Sequence, residues 1–292
     1  MHGRGRGRLE HTVALLRAEG HDVTVVPTLG PQTATAIAHE YATRGVDLVL
    51  VAGGDGTINE VTEGLVHTDI PMGILPSGTA NVLATELKLS TDMEIAARRL
   101  SECRPHRVSV GHLSLYDGAV SRHFLLMAGI GLDAHIVYRV SAPLKQATGK
   151  LAYWLAGWAL LGRPLAEFQV EIGGVRRTCS FALISKVRNY GGDLEIAREV
   201  SLFDDRFEVI LFEGKSTVPY VRYFIGVMRN RLDGMKGVTV LRERCLQILP
   251  TEDPRVYVQV DGELVGFLPA QIRIVPDALT VLVPPEYAAT HR

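Results

Sequence analysis

The stretch Asp47-Leu48-Val49-Leu50-Val51-Ala52-Gly53-Gly54-Asp55-Gly56-Thr57-Ile58-Asn59-Glu60-Val61 decides how this chain is read. Its first six residues are nearly all apolar, which suits a strand buried on both faces of a parallel sheet. A glycine cluster follows, and Ile58 to Val66 then has the texture of a helix. A glycine loop between a buried strand and a helix is the place where backbone N–H groups converge on a phosphate. Glycine lets the backbone take positive φ and lets a phosphate approach closely. Asp55 can hold magnesium or order water near a transferred group, and Thr57 can cap the helix. A tight turn closed by an Asx bond from Asp55 is the alternative reading.

Outward from this loop, the first hundred residues alternate helical and strand-like patterns, which predicts parallel strands with crossover helices. Helices are expected over 9–18, 31–43, 80–87 and 92–100, and strands over 23–26, 47–52 and 72–75. A second loop of the same kind, Pro76-Ser77-Gly78-Thr79-Ala80-Asn81, follows the strand at 72–75 and precedes a helix. Loops after successive parallel strands gather at their carboxyl ends, so Thr79 and Asp55 can face one ligand. A helix cap after proline is the simpler reading of the second loop. After residue 105 the texture becomes short β-branched or alternating runs, 107–115, 123–128, 168–172, 207–212 and 256–260, interrupted by helical segments at 150–161 and 219–229. Two domains follow from this change: an α/β domain over 1–106 and a β-rich domain over 107–276.

Composition narrows the functional classes. With 292 residues, 47% hydrophobic and 22% charged, the chain resembles an average soluble globular protein. A net charge of -1 offers no basic field for nucleic acid. Cys103, Cys179 and Cys245 are far apart and odd in number, which predicts neither a disulfide framework nor a zinc site and fits a reducing cytoplasm. No run reaches the ~18 apolar residues of a spanning helix, and no signal peptide is legible.

The two loops, together with Gly129-Ile130-Gly131-Leu132-Asp133-Ala134 and Asp261-Gly262-Glu263, make the chain resemble the diacylglycerol-kinase catalytic-domain family, which includes bacterial lipid kinases and sphingosine kinases. The likeness covers almost the whole length. It implies an amino-terminal three-layer α/β nucleotide domain like those of NAD kinases and phosphofructokinases, followed by a carboxyl-terminal β-sandwich, with a carboxyl tail over about 277–292 returning to the first domain. It also implies transfer of the γ-phosphate of ATP to a lipid hydroxyl. By the resemblance, ATP lies against Gly53, Gly54, Asp55, Gly56, Thr57, Ile58, Asn59, Thr79 and Thr28. Glu263 takes the acceptor's proton, for which a carboxylate is adequate within about 3 Å of the hydroxyl. Read alone, Asp261-Gly262 is a hairpin turn and Glu263 an exposed strand residue. Asp133 corresponds to a head-group contact, and a helix cap is equally good physics. A magnesium site is implied at Asp205 with the carbonyls of Leu202 and Phe207, although the family usually has glycine where Arg206 stands; paired carboxylates also read as a solvated turn.

The acceptor side rests on Leu151-Ala152-Tyr153-Trp154-Leu155-Ala156-Gly157-Trp158-Ala159-Leu160-Leu161, near Lys145 and Lys150. This aromatic stretch suits an acyl-chain pocket or docking of a cytoplasmic protein on the inner membrane face, and a buried core helix is the alternative. A soluble acceptor such as NAD, and a nucleotide- or lipid-binding regulator without catalysis, are the competing functions. A homodimer stands beside the monomer, since motif spacing does not specify an interface. Two departures from the family stand out. The family opens with a strand and an Asn-Pro loop, where this sequence has Met1-His2-Gly3-Arg4-Gly5-Arg6-Gly7-Arg8. Either the start lies downstream of the family's or that strand is lost, leaving an exposed sheet edge and a flexible basic arm or loop remnant. Val82 stands where many members carry aspartate.

Overall fold

A computed structural model describes residues 3–131, 164–190, 194–229, 231–251 and 256–291. The chain forms two compact units, Met1–Val108 with Asp277–Arg292, and Ser109–Pro276.

In the first unit, α1 (Gly3–Ala18), α2 (Thr33–Thr43), β1 (Val49–Gly53), α3 (Asp55–Leu65), β2 (Met72–Pro76), α4 (Val82–Glu86) and α5 (Met93–Arg98) follow one another. β1 and β2 pair in parallel from Val49↔Met72 to Gly53↔Pro76, as their apolar runs require. α5 is capped by Asp92, whose carboxylate accepts from the Glu94 and Ile95 N–H groups. Leu16, Leu75, Met93, Ala96 and Ala97 pack as the core beneath α1 and α5.

Two expectations fail here. Residues 23–26 form no strand. β1 ends its sheet, and Val23–Val26 does not extend it despite its β-branched residues. Instead Val23 gives its carbonyl to the Arg17 guanidinium at 2.8 Å, and Val25 and Val26 are exposed. The Gly-Arg alternation, expected as a flexible arm or loop remnant, lies in α1, which starts at Gly3.

The second unit is a β-sandwich. Its strands, besides the ends of β3 (Arg104–Leu115) and β16 (Ala270–Val283) that carry the chain across the division, are β4 (Val120–Phe124), β5 (Met127–Gly131), β6 (Phe168–Ile172), β7 (Val175–Cys179), β8 (Phe181–Ser185), β9 (Asn189–Tyr190), β10 (Leu194–Glu195), β11 (Phe207–Phe212), β12 (Val238–Glu243), β13 (Cys245–Ile248), β14 (Tyr257–Val260) and β15 (Glu263–Phe267). One sheet runs β12-β11-β8-β5-β14-β15, and β16, β13, β6 and β7 pair in that order in the other. Alternating residues of both sheets, among them Phe124, Ile130, Val170, Phe207, Val258 and Ile272, fill the space between them. The 123–128 run is split: β4 ends at Phe124 and β5 begins at Met127, because the chain turns there onto Asp261. Among the described residues of this unit, α6 (Val218–Met228) is the α-helix, with Tyr220 and Tyr223 packed on Phe212.

After β16 the chain is back in the first unit. Val281 pairs with Met72 in parallel, and α7 (Pro285–Thr290) buries Tyr287, whose hydroxyl donates to Glu86 Oε1 at 3.0 Å. All three cysteines are free, Cys245 alone being exposed. Among the described residues, no helix is long and apolar enough to cross a membrane.

Candidate functional site

The glycine loop sits where β1 meets α3, and the second loop where β2 meets α4. Parallel pairing brings them side by side, with the Ser77 N–H donating to the Gly53 carbonyl at 3.1 Å. The expectation that these glycines adopt positive φ is corrected: Gly53, Gly54, Gly56 and Gly78 all lie outside that region. Gly53, Gly54 and Gly78 are glycine for want of space. A Cβ on Gly78 would stand 2.5 Å from the Gly54 Cα, and one on Gly53 would stand 2.6 Å from the Thr57 Cβ. The two loops therefore approach backbone to backbone, with no side-chain layer between them.

Three polar residues hold this arrangement. Asn81, at φ 48°, accepts from the Gly78 N–H at 2.9 Å and donates to the Gly78 carbonyl at 3.0 Å, so it locks the second loop. Asp55 turns toward the start of α4 and accepts from the Leu83 N–H at 3.4 Å. Burial pushes its carboxyl above the ordinary aspartate value, and N–H donors from Leu83, Val82 and Asn81 oppose the shift. Glu60, quoted only as part of the motif, spans to α2: its two oxygens accept from the Gln32 and Ala34 N–H groups at 2.8 and 2.9 Å. It thus caps α2, whose own N-cap residue Gln32 makes no side-chain cap bond.

Thr57 does not cap α3, as the sequence suggested. Gly54 holds that position without a side-chain bond, and Thr57 stands within the first turn against Gly53. Ile58 is buried and Asn59 half-buried on the same helix, Thr79 is exposed on the second loop, and Thr28 is exposed in the non-regular segment after residue 26.

In the second unit, Asp261-Gly262 forms a two-residue hairpin turn between β14 and β15, with both residues at positive φ and Val260 opposite Glu263. The turn reading and a functional Glu263 are therefore compatible: Glu263 opens β15 with its residue exposed. Sequence reasoning missed Asp261. Its carboxylate accepts from three consecutive N–H groups, Leu125 and Leu126 at 3.1 Å and Met127 at 2.8 Å, which fixes the hairpin bearing Glu263 onto β5. Asp in an Asp-Gly turn looks like turn chemistry alone, so no local signal distinguishes this clamp. Asp133 and the aromatic stretch 151–161 lie outside the described residues.

The donor set expected for magnesium does not assemble as a metal shell. The Leu202 carbonyl accepts from the Lys186 ammonium at 3.5 Å, and so does the Asp204 carbonyl at shorter range. Asp205 accepts from the Ser109 hydroxyl and from Arg244 at 3.5 Å. Phe207 opens β11 with its ring stacked on Phe124. These oxygens do not fit a divalent ion as arranged, and no step below passes through one held there. Lys186 is wholly buried, and burial draws its ammonium down to about 8, with Asp204 and Asp205 opposing the shift.

Comparison with known proteins agrees with this architecture. Residues 2–113 match the model of the diacylglycerol kinase catalytic domain, and residues 127–283 that of the YegS C-terminal NAD kinase beta sandwich-like domain. A diacylglycerol kinase of Mycobacterium tuberculosis (strain H37Rv) is 27% identical over 289 residues, covering 97% of this chain and 92% of that protein. A probable lipid kinase YegS-like of Cronobacter sakazakii is 28% identical over 286 residues, covering 95% and 92%. The crystal structure of a putative diacylglycerol kinase from Bacillus anthracis shares the fold with a TM-score of 0.81 at 22% identity, covering 97% of this chain and 93% of that one. With both of its units matched in order, the chain belongs to the lipid kinase family defined by the diacylglycerol kinase catalytic domain and its YegS-type β-sandwich.

Proposed function

We propose that this protein transfers the γ-phosphate of ATP to the hydroxyl of diacylglycerol or a related lipid. The observation that carries the reading is the backbone contact between the Gly53–Thr57 and Pro76–Asn81 loops at the ends of paired parallel strands. Such N–H-rich loops before helices suit a polyphosphate, and kinase membership makes ATP the donor. Gly53 to Asn59, Thr79 and Thr28 are assigned to the nucleotide, with Asp55 ordering groups about the transferred phosphoryl. Glu263 is assigned as the base. The lipid oxygen bonds to the γ-phosphorus, the bond to the bridging oxygen breaks, ADP leaves with that electron pair, and the acceptor's proton passes to Glu263.

Support for a lipid acceptor, besides the names of the relatives, comes from α6. Val218, Val221, Ile225 and Met228 recur at three- and four-residue steps and are exposed, the first and last by 65% and 61%. Lys215, Arg222, Arg229, Arg231 and Lys236 lie along or next to this helix in sequence, with Asp233 as the one acidic residue between 215 and 237. An apolar stripe framed by cations suits the interface of an anionic bilayer. We assign this face to peripheral docking on the membrane that holds the lipid.

The test is a radiolabelled-ATP assay of purified protein with diacylglycerol, phosphatidylglycerol, sphingoid bases and NAD as acceptors. Transfer to a lipid that falls at least a hundredfold in Glu263→Gln, with ATP binding kept, supports the reading. Transfer to NAD alone selects the soluble-acceptor alternative, and nucleotide binding with no transfer to any acceptor selects a regulator.

A further inference from the structure

The buried ammonium in the second unit has no part in phosphoryl transfer as proposed above. Lys186 directly follows β8, a strand buried at every residue, and its side chain is 0% exposed. A lysine in such a place would ordinarily be excluded unless its charge and all its donors were met. One short segment supplies two acceptors: the carbonyls of Leu202 and Asp204 accept from Nζ, with the Asp204 and Asp205 carboxylates opposing the loss of its charge. That segment makes the turn into β11. The Asp204 carboxylate, in turn, accepts from the Ser201 N–H at 2.9 Å and pairs with Arg242 at 2.7 Å, while Asp205 is held by Ser109 and Arg244.

We propose that the Lys186 ammonium is the resident cation of the Ser201–Phe207 turn, occupying by a side chain the role the family resemblance gives to magnesium. The geometry supplies two reasons. A compact ammonium with three donors can gather converging carbonyls as a small cation does, without the octahedral shell and retained waters that magnesium demands. The charge around the turn is also already oversupplied with cations. Asp204 and Asp205 line one cavity with Arg206, Arg242 and Arg244, and Lys186 lies behind them, so two carboxylates face four positive groups. A divalent ion entering there would compete with Arg242 and Arg244 for those carboxylates and would meet an excess of positive charge. Arg206, the residue that departs from the family's glycine, belongs to that excess. The turn is therefore metal-independent in this protein, whereas any divalent ion arriving with ATP is part of the substrate.

Thermal unfolding of the whole, nucleotide-free protein and manganese binding followed by electron paramagnetic resonance test this together. The wild type is expected to melt at the same temperature in EDTA and in millimolar magnesium. Manganese binding at this turn, read as binding that Asp205→Asn abolishes, is expected to be absent. Lys186→Met, similar in length but without charge or donors, is expected to melt several degrees lower in EDTA. A wild type that loses several degrees in EDTA, or manganese binding that Asp205→Asn removes, overturns the proposal, as does a Lys186→Met protein as stable as the wild type. The first two outcomes are read on folded wild type and Asp205→Asn, so they decide even if Lys186→Met does not fold. None of them depends on which acceptor the protein phosphorylates.

Discussion

A Cβ on Gly78 would lie 2.5 Å from the Gly54 Cα, and the atom it would strike is backbone, which cannot swing aside. Gly78→Ala must therefore part the two loops by tenths of an ångström or more. ATP affinity is expected to fall by at least about tenfold, or ~1.4 kcal/mol, in calorimetric titration, while the circular-dichroism spectrum stays that of the wild type. Asp55 makes a second prediction with a definite sign. Its folded-state carboxyl is raised, so the native protein holds a proton more tightly than the unfolded chain, and stability falls as pH rises from the ordinary aspartate value through the raised one. At neutral pH the ionised, half-buried Asp55 is a destabilising charge. Asp55→Asn should melt higher than the wild type at pH 7.5 and lose that advantage below pH ~4, yet be deficient in phosphoryl transfer. An Asp55→Asn protein that melts lower than the wild type at pH 7.5 contradicts the assignment. At this scale the sequence was legible where glycine was concerned, but for the wrong conformational reason. It was silent about Glu60, Asp261 and Lys186, whose partners lie 26 to 28, 134 to 136 and 16 to 18 residues away.

Elements whose pattern and surroundings agree were readable from sequence. Phe168–Ile172 and Phe207–Phe212 are strands with the boundaries their runs suggest, because both are sandwich strands with ladder partners on both sides. Val23–Val26 has equal intrinsic preference and no partner, so propensity alone misleads there. The helix at 219–229 was also legible, but its stripe was not, since its apolar residues face both ways: Tyr223 and Val227 inward, Val221 and Ile225 outward. Ile225→Glu puts a carboxylate in the middle of the outward stripe without touching the inward one. Its binding to anionic vesicles in a flotation assay is expected to drop by about tenfold, with unchanged melting temperature. Equal binding of the wild type to neutral and anionic vesicles would remove the role given to Arg222 and Arg229.

Over the whole molecule, each unit is stabilised by chain segments far apart in sequence. The first unit recruits Asp277 onward: the Arg107 guanidinium donates to the Thr68 and Asp277 carbonyls, Arg99 pairs with Glu286, and Tyr287 is sealed against Glu86. Tyr287→Ala deletes a fully buried ring and strips Glu86 of that partner. A loss of about 3 to 5 kcal/mol is expected in urea unfolding monitored by nucleotide-analogue binding. Tyr287→Phe isolates the hydroxyl and should cost about 1 kcal/mol.

The path of β16, from the second unit into the first, also orders events in time. Residues 1–108 leave the ribosome before the sandwich, yet the strand that pairs with β2 through Val281 and the helix that covers Glu86 are synthesised after it. The first unit therefore waits, with one side of β2 unpaired, while the sandwich is made. A nascent chain stalled before residue 277 would carry both glycine loops without the strand and helix that complete the unit around them.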